Sequence, residues 1–213
     1  MKKIFLDNLY AITDSLQSLG RPTTLVVKEM LEAGVKIVQY REKNKKMGEM
    51  LRECLEIRKM TKEHDALFII NDHADLALLC QADGAHVGQD DLPVEATRSL
   101  LGPEAVIGLS THCPEQAAAA VRQGVDYIGV GPIFDTATKK DICPAVGLEY
   151  LEYVVSAFPQ LPHVAIGGIK RHNLPLLLRR GARCCALVSE ITAAPDIGLR
   201  IHEIKKIIER ESR

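Results

Sequence analysis

The strongest constraint on this chain is a rhythm: short β-branched apolar runs recur, each followed by a polar loop and then a segment with helical spacing. Eight such runs can be counted: Leu9–Thr13, Lys36–Tyr40, Leu67–Asn71, Gly84–Gly88, Val106–Ser110, Tyr127–Gly131, His163–Gly167 and Cys185–Ser189. Between them, Thr24–Ala33, Met47–His64, Val94–Leu101, Glu115–Gln123, Leu148–Ala157, Asn173–Arg180 and Asp196–Glu211 have helical spacing, with Asp75–Leu79 a single-turn candidate. Gly34, Gly102, Gly124 and Gly181 each lie just past a helical segment, where a residue with positive φ ends a helix before the next strand. Repeated βα units predict a parallel sheet. Runs such as Phe68-Ile-Ile and Val164-Ala-Ile are apolar without alternation, as expected of strands covered on both faces.

Eight units close into a (β/α)₈ barrel, so the expected class is α/β, with residues 1–213 forming a single barrel domain. An open doubly wound sheet is the competing arrangement, but the first βα turn lacks the G-x-G-x-x-G of a dinucleotide site. With 27 Lys plus Arg against 28 Asp plus Glu, the net charge is −1. Neither nucleic acid nor a membrane surface is therefore an expected partner, and any anion must be bound locally. Six cysteines, with Cys184 and Cys185 adjacent and no C-x-x-C pair, suit reduced thiols in a cytoplasmic protein better than a disulfide framework. Asp7 and Asn8 interrupt the N-terminal apolar stretch before a signal sequence could form, and no stretch approaches the roughly 20 apolar residues of a membrane span.

Barrel active sites are assembled where the C-terminal ends of the strands meet the loops that follow. Those ends are polar here. The second unit ends Gln39-Tyr40-Arg41-Glu42-Lys43, the third Asn71-Asp72-His73, the fourth leads into Gln89-Asp90-Asp91, and the fifth ends Ser110-Thr111-His112. The sixth leads into Gly131-Pro-Ile-Phe-Asp-Thr-Ala-Thr-Lys-Lys-Asp141, where Thr136 and Thr138 alternate ahead of Lys139 and Lys140. Arg41 and Lys43 would point the same way if the strand continued, and with Lys139 they bring three cations to one mouth, which suits a diphosphate. Asp72 and Asp91 beside such a group point to a divalent metal, most simply Mg²⁺, which takes few protein ligands and keeps its waters. Gly167-Gly168 and Val188-Ser189 stand where barrels bind a phosphomonoester through N–H groups and a hydroxyl.

Blander readings stand beside these. Arg41-Glu42-Lys43 alone is also a solvated charged turn, and Asp72 is also a helix N-cap. His73, His86 and His112 lack zinc-ligand spacing, and Cys113 and Cys143 lie in loops with no evident base beside them.

Taken in order, Gln39-Tyr-Arg-Glu-Lys43, Ile70-Asn-Asp72, His86-Val-Gly-Gln-Asp-Asp91, Gly108-Leu-Ser-Thr-His112, Gly129-Val-Gly-Pro-Ile-Phe134, Thr136-Ala-Thr-Lys139 and Ala165-Ile-Gly-Gly-Ile169 resemble the thiamine-phosphate synthase family over residues 9–191. The resemblance implies a Mg²⁺-dependent barrel enzyme that joins a hydroxymethylpyrimidine diphosphate to a thiazole phosphate, or its carboxylated form, and releases pyrophosphate. It implies that Gln39, Tyr40, Arg41, Glu42, Lys43, Asn71, Ser110 and Lys139 hold the pyrimidine diphosphate, with Arg41, Lys43 and Lys139 stabilising the leaving group. Asp72 and Asp91 would bind Mg²⁺, and Thr136, Ala137, Thr138, Gly168, Val188 and Ser189 the thiazole phosphate. The implied partners are phosphorylated small molecules, and homo-oligomerisation stays open. Two alternatives remain: the related thiazole tautomerase, which needs no diphosphate and metal site, and a non-catalytic barrel that binds a phosphorylated ligand. Two positions depart from the family pattern: Asp135 stands where proline is usual, and Arg183-Cys184-Cys185 replaces the usual residues entering the last strand.

Overall fold

The computed structural model describes residues 7–136 and 144–211. Eight strands are present: β1 (Leu9–Ile12), β2 (Ile37–Tyr40), β3 (Leu67–Asn71), β4 (Gly84–Val87), β5 (Val106–Thr111), β6 (Tyr127–Val130), β7 (His163–Ala165) and β8 (Cys185–Leu187). Each pairs parallel with its neighbour in sequence, and β8 returns to β1, with Leu9 opposite Cys185, so the sheet closes. Around it lie α1 (Thr23–Glu32), α2 (Met47–Glu63), α3 (Ala74–Leu79), α4 (Val94–Leu101), α5 (Pro114–Arg122), α6 (Gly147–Ala157), α7 (Leu174–Arg179), α8 (Ser189–Thr192) and α9 (Ile197–Glu211). The expected (β/α)₈ barrel is the observed one, and the helix bounds move by a residue or two. The four-residue α8 was not expected, because four residues carry no periodicity. Gly34, Gly102, Gly124 and Gly181 all have positive φ, from 69° to 90°, as their place after helices demands. None of the described helices is long and apolar enough to cross a membrane.

Two cores form because strand side chains alternate. Leu9, Val38, Phe68, Ile70, Ile107, Ile128 and Leu187 face outward and meet the helices. The last helix shows the fit: Ile197, Ile201, Ile204 and Ile208 recur at three- and four-residue spacing and are buried in the outer core, where α9 packs beside α1, α7 and α8, each contributing about 1.5–3 kcal/mol. Tyr10, Ile37, Ile69, Val106, Tyr127, Val164 and Ala186 face inward and fill the barrel. Glycine makes room for the tyrosines: a Cβ on Gly108 would lie 2.2 Å from Tyr127 Cζ and 2.4 Å from His86 Nδ1. Cys184 joins the inner core and Cys185 the outer, so the departure from family pattern here alters packing. Burial raises both thiols, Cys185 to about 12, which keeps them protonated and unreactive.

Candidate active site

At the C-terminal end of β2 the alternation sorts the expected residues. Gln39 turns inward, and its Nε2 donates to Tyr10 Oη at 2.9 Å. Tyr40 turns outward, fully buried, and its hydroxyl donates to Glu53 on α2 at 2.6 Å. Glu42 is also buried, accepting from Ser15 Oγ at 2.5 Å and Thr23 Oγ1 at 3.0 Å, with Lys45 Nζ at 3.8 Å. The side chains of Tyr40 and Glu42 are thus engaged in the layer between sheet and helices, which leaves their backbone to face the mouth. Of residues 41–43, read also as a solvated turn, Glu42 is buried while Lys43 is half-exposed.

The strand does not continue through Lys43 as the same-face argument required. Thr13 Oγ1 accepts from Arg41 N at 2.8 Å and donates to Arg41 O at 3.1 Å, so β1 caps the end of β2. The two cations then diverge. Arg41 Nη1 lies 4.0 Å from Asp14 beyond β1, while Lys43 Nζ reaches Asp72 Oδ2 beyond β3 at 2.5 Å. Sequence reasoning passed over Thr13 and Asp14, although they end the first apolar run as Arg41 ends the second.

Asp72 has φ +61°, a left-handed conformation that Asp and Asn tolerate better than most residues, and its N–H donates to His86 O at 2.8 Å. It caps no helix: His73 is the N-cap residue of α3 and makes no side-chain cap bond. Asn71 closes β3 beside it, half-buried and opposite His86. Asp91, exposed in the loop after β4, accepts from Gly88 N–H at 2.7 Å, and a Cβ on Gly88 would stand 3.0 Å from that oxygen. Asp72 and Asp91 bring only carboxylate oxygens to the mouth, and among the described residues no group of three or more His, Cys, Asp or Glu is placed to hold a metal ion. Such a set fits Mg²⁺, which needs one or two carboxylates and keeps its water, and does not fit zinc. The carboxylate of Asp72 already holds one cation, the Lys43 ammonium.

Ser110, next to last in β5, is half-buried, with Oγ 2.9 Å from His86 Nε2 and its carbonyl accepting from Gln89 Nε2 at 2.6 Å. Across the mouth, the loop after β6 is zipped to the end of β7: Ile133 N–H donates to Ile166 O at 2.8 Å and Phe134 N–H to Gly167 O at 3.1 Å. This pairing brings Phe134 and Asp135 to Gly168, whose φ is +62° and where a Cβ would lie 2.6 Å from Asp135 O, with Thr136 next in the loop. Val188 follows β8 directly and is the N-cap residue of α8. Ser189 Oγ accepts from Lys170 Nζ at 2.7 Å, and Glu190, 8% exposed, gathers Arg171 at 2.9 Å, Arg200 at 2.8 Å and Lys170 at 3.7 Å. Lys170 is a further cation that sequence reasoning missed, masked as one of two consecutive basic residues before a helix. Ala137, Thr138 and Lys139 lie outside the described residues.

The described groups thus form two neighbouring sets on one mouth. Arg41, Lys43, Asp72, Asp91, Asn71, Gln39 and Ser110 stand on the ends of β2 to β5, while Thr136, Gly168, Val188, Ser189 and Lys170 stand on the ends of β6 to β8. A closed parallel barrel with paired cations, carboxylates and hydroxyls at its C-terminal mouth defines the class: a (β/α)₈-barrel enzyme of the kind that handles charged small molecules. The family model described as thiamine monophosphate synthase matches residues 9–191. A thiamine-phosphate synthase from Lawsonia intracellularis is 56% identical over 201 residues, covering 94% of this chain and 92% of the relative. One from Pelotomaculum thermopropionicum is 55% identical over 96% of this chain and 93% of its own length. The solved structure of a thiamine phosphate pyrophosphorylase from Pyrococcus furiosus is 35% identical, with a TM-score of 0.87 over 96% of both chains. The chain belongs to the thiamine monophosphate synthase family, whose members named here are transferases of thiamine biosynthesis.

Proposed function

We propose that the chain joins 4-amino-2-methyl-5-(diphosphooxymethyl)pyrimidine to 4-methyl-5-(2-phosphoethyl)thiazole, giving thiamine phosphate and pyrophosphate. The observation that carries this is the paired cation and carboxylate set at the mouth of a barrel whose relatives, at 55–56% identity over nearly the whole chain, are thiamine-phosphate synthases. The methylene C–O bond breaks, pyrophosphate leaves with the electron pair, and the thiazole nitrogen lone pair attacks the resulting cation to form the C–N bond. The chain needs no nucleophile of its own, and Cys184 and Cys185, buried in the barrel wall, are kept protonated. Its work is alignment of two substrates and stabilisation of charge on the departing pyrophosphate.

Arg41, Lys43 and Lys139 serve the second task. Arg41 offers a fork to phosphate oxygens, and Lys43 a compact charge held ready by Asp72. Asp72 and Asp91 would hold Mg²⁺, which supplies charge neutralisation at the diphosphate when bound. Thr136, Ala137, Thr138, Gly168, Val188 and Ser189, with Lys170 beside Ser189, would cradle the thiazole phosphate. The tautomerase alternative leaves the Lys43–Asp72 pair and Asp91 without a task. We read the setting as cytoplasmic, because the five cysteines among the described residues are free and four of them are buried.

Incubating the purified chain with both substrates and Mg²⁺ and assaying thiamine phosphate tests the proposal. Ligand binding without product would move the reading to a non-catalytic barrel.

Gly168→Ala is expected to raise KM for the thiazole phosphate about tenfold, since a Cβ at positive φ costs roughly 1–2 kcal/mol. The same Cβ would collide with Asp135 O, the backbone that carries Thr136. Steady-state KM values for both substrates check this, and an equal rise for the pyrimidine diphosphate would count against the division of the mouth.

Asp135→Pro is expected to lower KM for at least one phosphorylated substrate a few-fold. Proline restricts the free loop, and removal of the exposed carboxylate relieves repulsion toward bound phosphate. A rise in both KM values in the proline variant would mean that Asp135 is an adapted part of the site.

A further inference from the structure

A polar chain crosses the interior of the barrel from one side of the mouth to the other. Gln39 Nε2 lies 2.9 Å from Tyr10 Oη, which lies 2.9 Å from Tyr127 Oη. Tyr127 Oη is 3.0 Å from His86 Nδ1, and His86 Nε2 is 2.9 Å from Ser110 Oγ. Gln39, Tyr10 and Tyr127 are 3% exposed or less. The space they fill is vacated by glycine: a Cβ on Gly129 would lie 3.3 Å from the His86 ring, and one on Gly108 would overlap both His86 and Tyr127. The two ends of the chain, Gln39 and Ser110, are residues assigned above to the pyrimidine diphosphate. The middle has no assigned task.

Proton counting allows an unbroken chain only two directions. A phenol has one hydrogen to give, and a neutral imidazole one N–H and one acceptor nitrogen. In the first direction Gln39 donates to Tyr10, Tyr10 to Tyr127, Tyr127 to His86 Nδ1, and His86 Nε2–H to Ser110. The Ser110 hydrogen is then free to donate outward, and Gln39 Oε1 is left as an outward acceptor. In the second direction every hydrogen is reversed, Gln39 accepts through Oε1, and the mouth meets an amide donor and a serine lone pair instead. A mixture, with both Gln39 and Tyr127 donating to Tyr10, would strand the Tyr10 hydrogen in the barrel interior. Burial raises both phenols above their ordinary range, so each keeps its hydrogen. The two directions differ in which Gln39 amide atom faces Tyr10, and Nε2 toward Tyr10 gives the first.

We propose that His86 is a positioning residue, neutral and protonated on Nε2, and that through Tyr127 and Tyr10 it locks Gln39 as an acceptor and Ser110 as a donor toward the aminopyrimidine. The inference rests on the proposed substrate. An exocyclic amino group meets the Gln39 carbonyl, and a ring nitrogen or diphosphate oxygen meets the Ser110 hydroxyl. The two ends are coupled: whatever turns one round turns the other.

Two measurements test this on the full chain. In protein labelled with ¹⁵N-histidine, with the His86→Asn spectrum identifying the signals, His86 is expected to show a protonated Nε2 and an unprotonated Nδ1. A protonated Nδ1, alone or with Nε2, overturns the proposal without reference to activity. In kinetics, Tyr127→Phe cuts the chain, and KM for the aminopyrimidine diphosphate is expected to rise about tenfold with KM for the thiazole phosphate unchanged. The variant should also lose part of the preference for this substrate over the analogue with hydrogen in place of the amino group. Undiminished preference, or equal change in both KM values, overturns the proposal. Failure of the native chain to make thiamine phosphate would remove the substrate assignment instead, while the imidazole signals still decide the direction of the chain.

Discussion

Asp72→Asn is expected to lower kcat for thiamine phosphate formation by about 10²–10³-fold, the usual effect of removing one preorganised charge from a transition state. Asparagine tolerates positive φ as aspartate does, so the turn at φ +61° and the N–H bond to His86 O are kept, and the variant isolates the charge. Alanine would confound this with backbone strain. The carboxylate has two proposed duties, which are holding Lys43 at 2.5 Å and binding Mg²⁺. Lys43 is half-exposed, so the ion pair itself adds at most about 1 kcal/mol to stability, and the variant should melt close to the native chain. The loss should therefore appear in the single-turnover rate rather than in folding. Asp91→Ala should behave alike, and EDTA should abolish turnover by the native chain. Full activity in EDTA would sink the Mg²⁺ assignment and leave Asp72 only its grip on Lys43.

Gly108→Ala is expected to destabilise the fold by about 3 kcal/mol, the upper end of overpacking costs. The added methyl would meet Tyr127 Cζ at 2.2 Å and His86 Nδ1 at 2.4 Å. Neither ring can yield easily, because Tyr127 is 1% exposed and its hydroxyl is tied to Tyr10 and His86. Tm should fall by about 6–12 °C, at roughly 2–4 °C per kcal/mol for a chain of this size. A Tm equal to the native value would show the barrel interior to be looser than the packing of Tyr127, His86 and Gly108 requires.

The order of elements was legible in the sequence because it depends on local chemistry. Continuous apolar runs such as Phe68-Ile-Ile had to be strands covered on both faces, and Gly34, Gly102, Gly124 and Gly181 had to follow helices, since only a residue free to adopt positive φ ends a helix there without strain. The strand ends carrying Arg41, Lys43, Asp72, Asp91 and Ser110 followed from the same reading, because closure of eight βα units sends every such end to one mouth.

What each side chain does at that mouth depended on groups far apart in sequence. Tyr40 and Glu42 could not be separated from Gln39 and Arg41 by type or spacing. Tyr40 is spent on Glu53, and Glu42 on Ser15 and Thr23, because the alternation of β2 and its cap by Thr13 turn both away from the axis. Lys43 finds Asp72 across 29 residues, and Tyr10 finds Tyr127 across 117. The barrel and the polarity of its strand ends follow from period and turn chemistry, which are local. That Gln39, Tyr10, Tyr127, His86 and Ser110 share one line of hydrogen bonds follows from closure of the sheet, because a buried donor takes whichever acceptor the fold brings within reach.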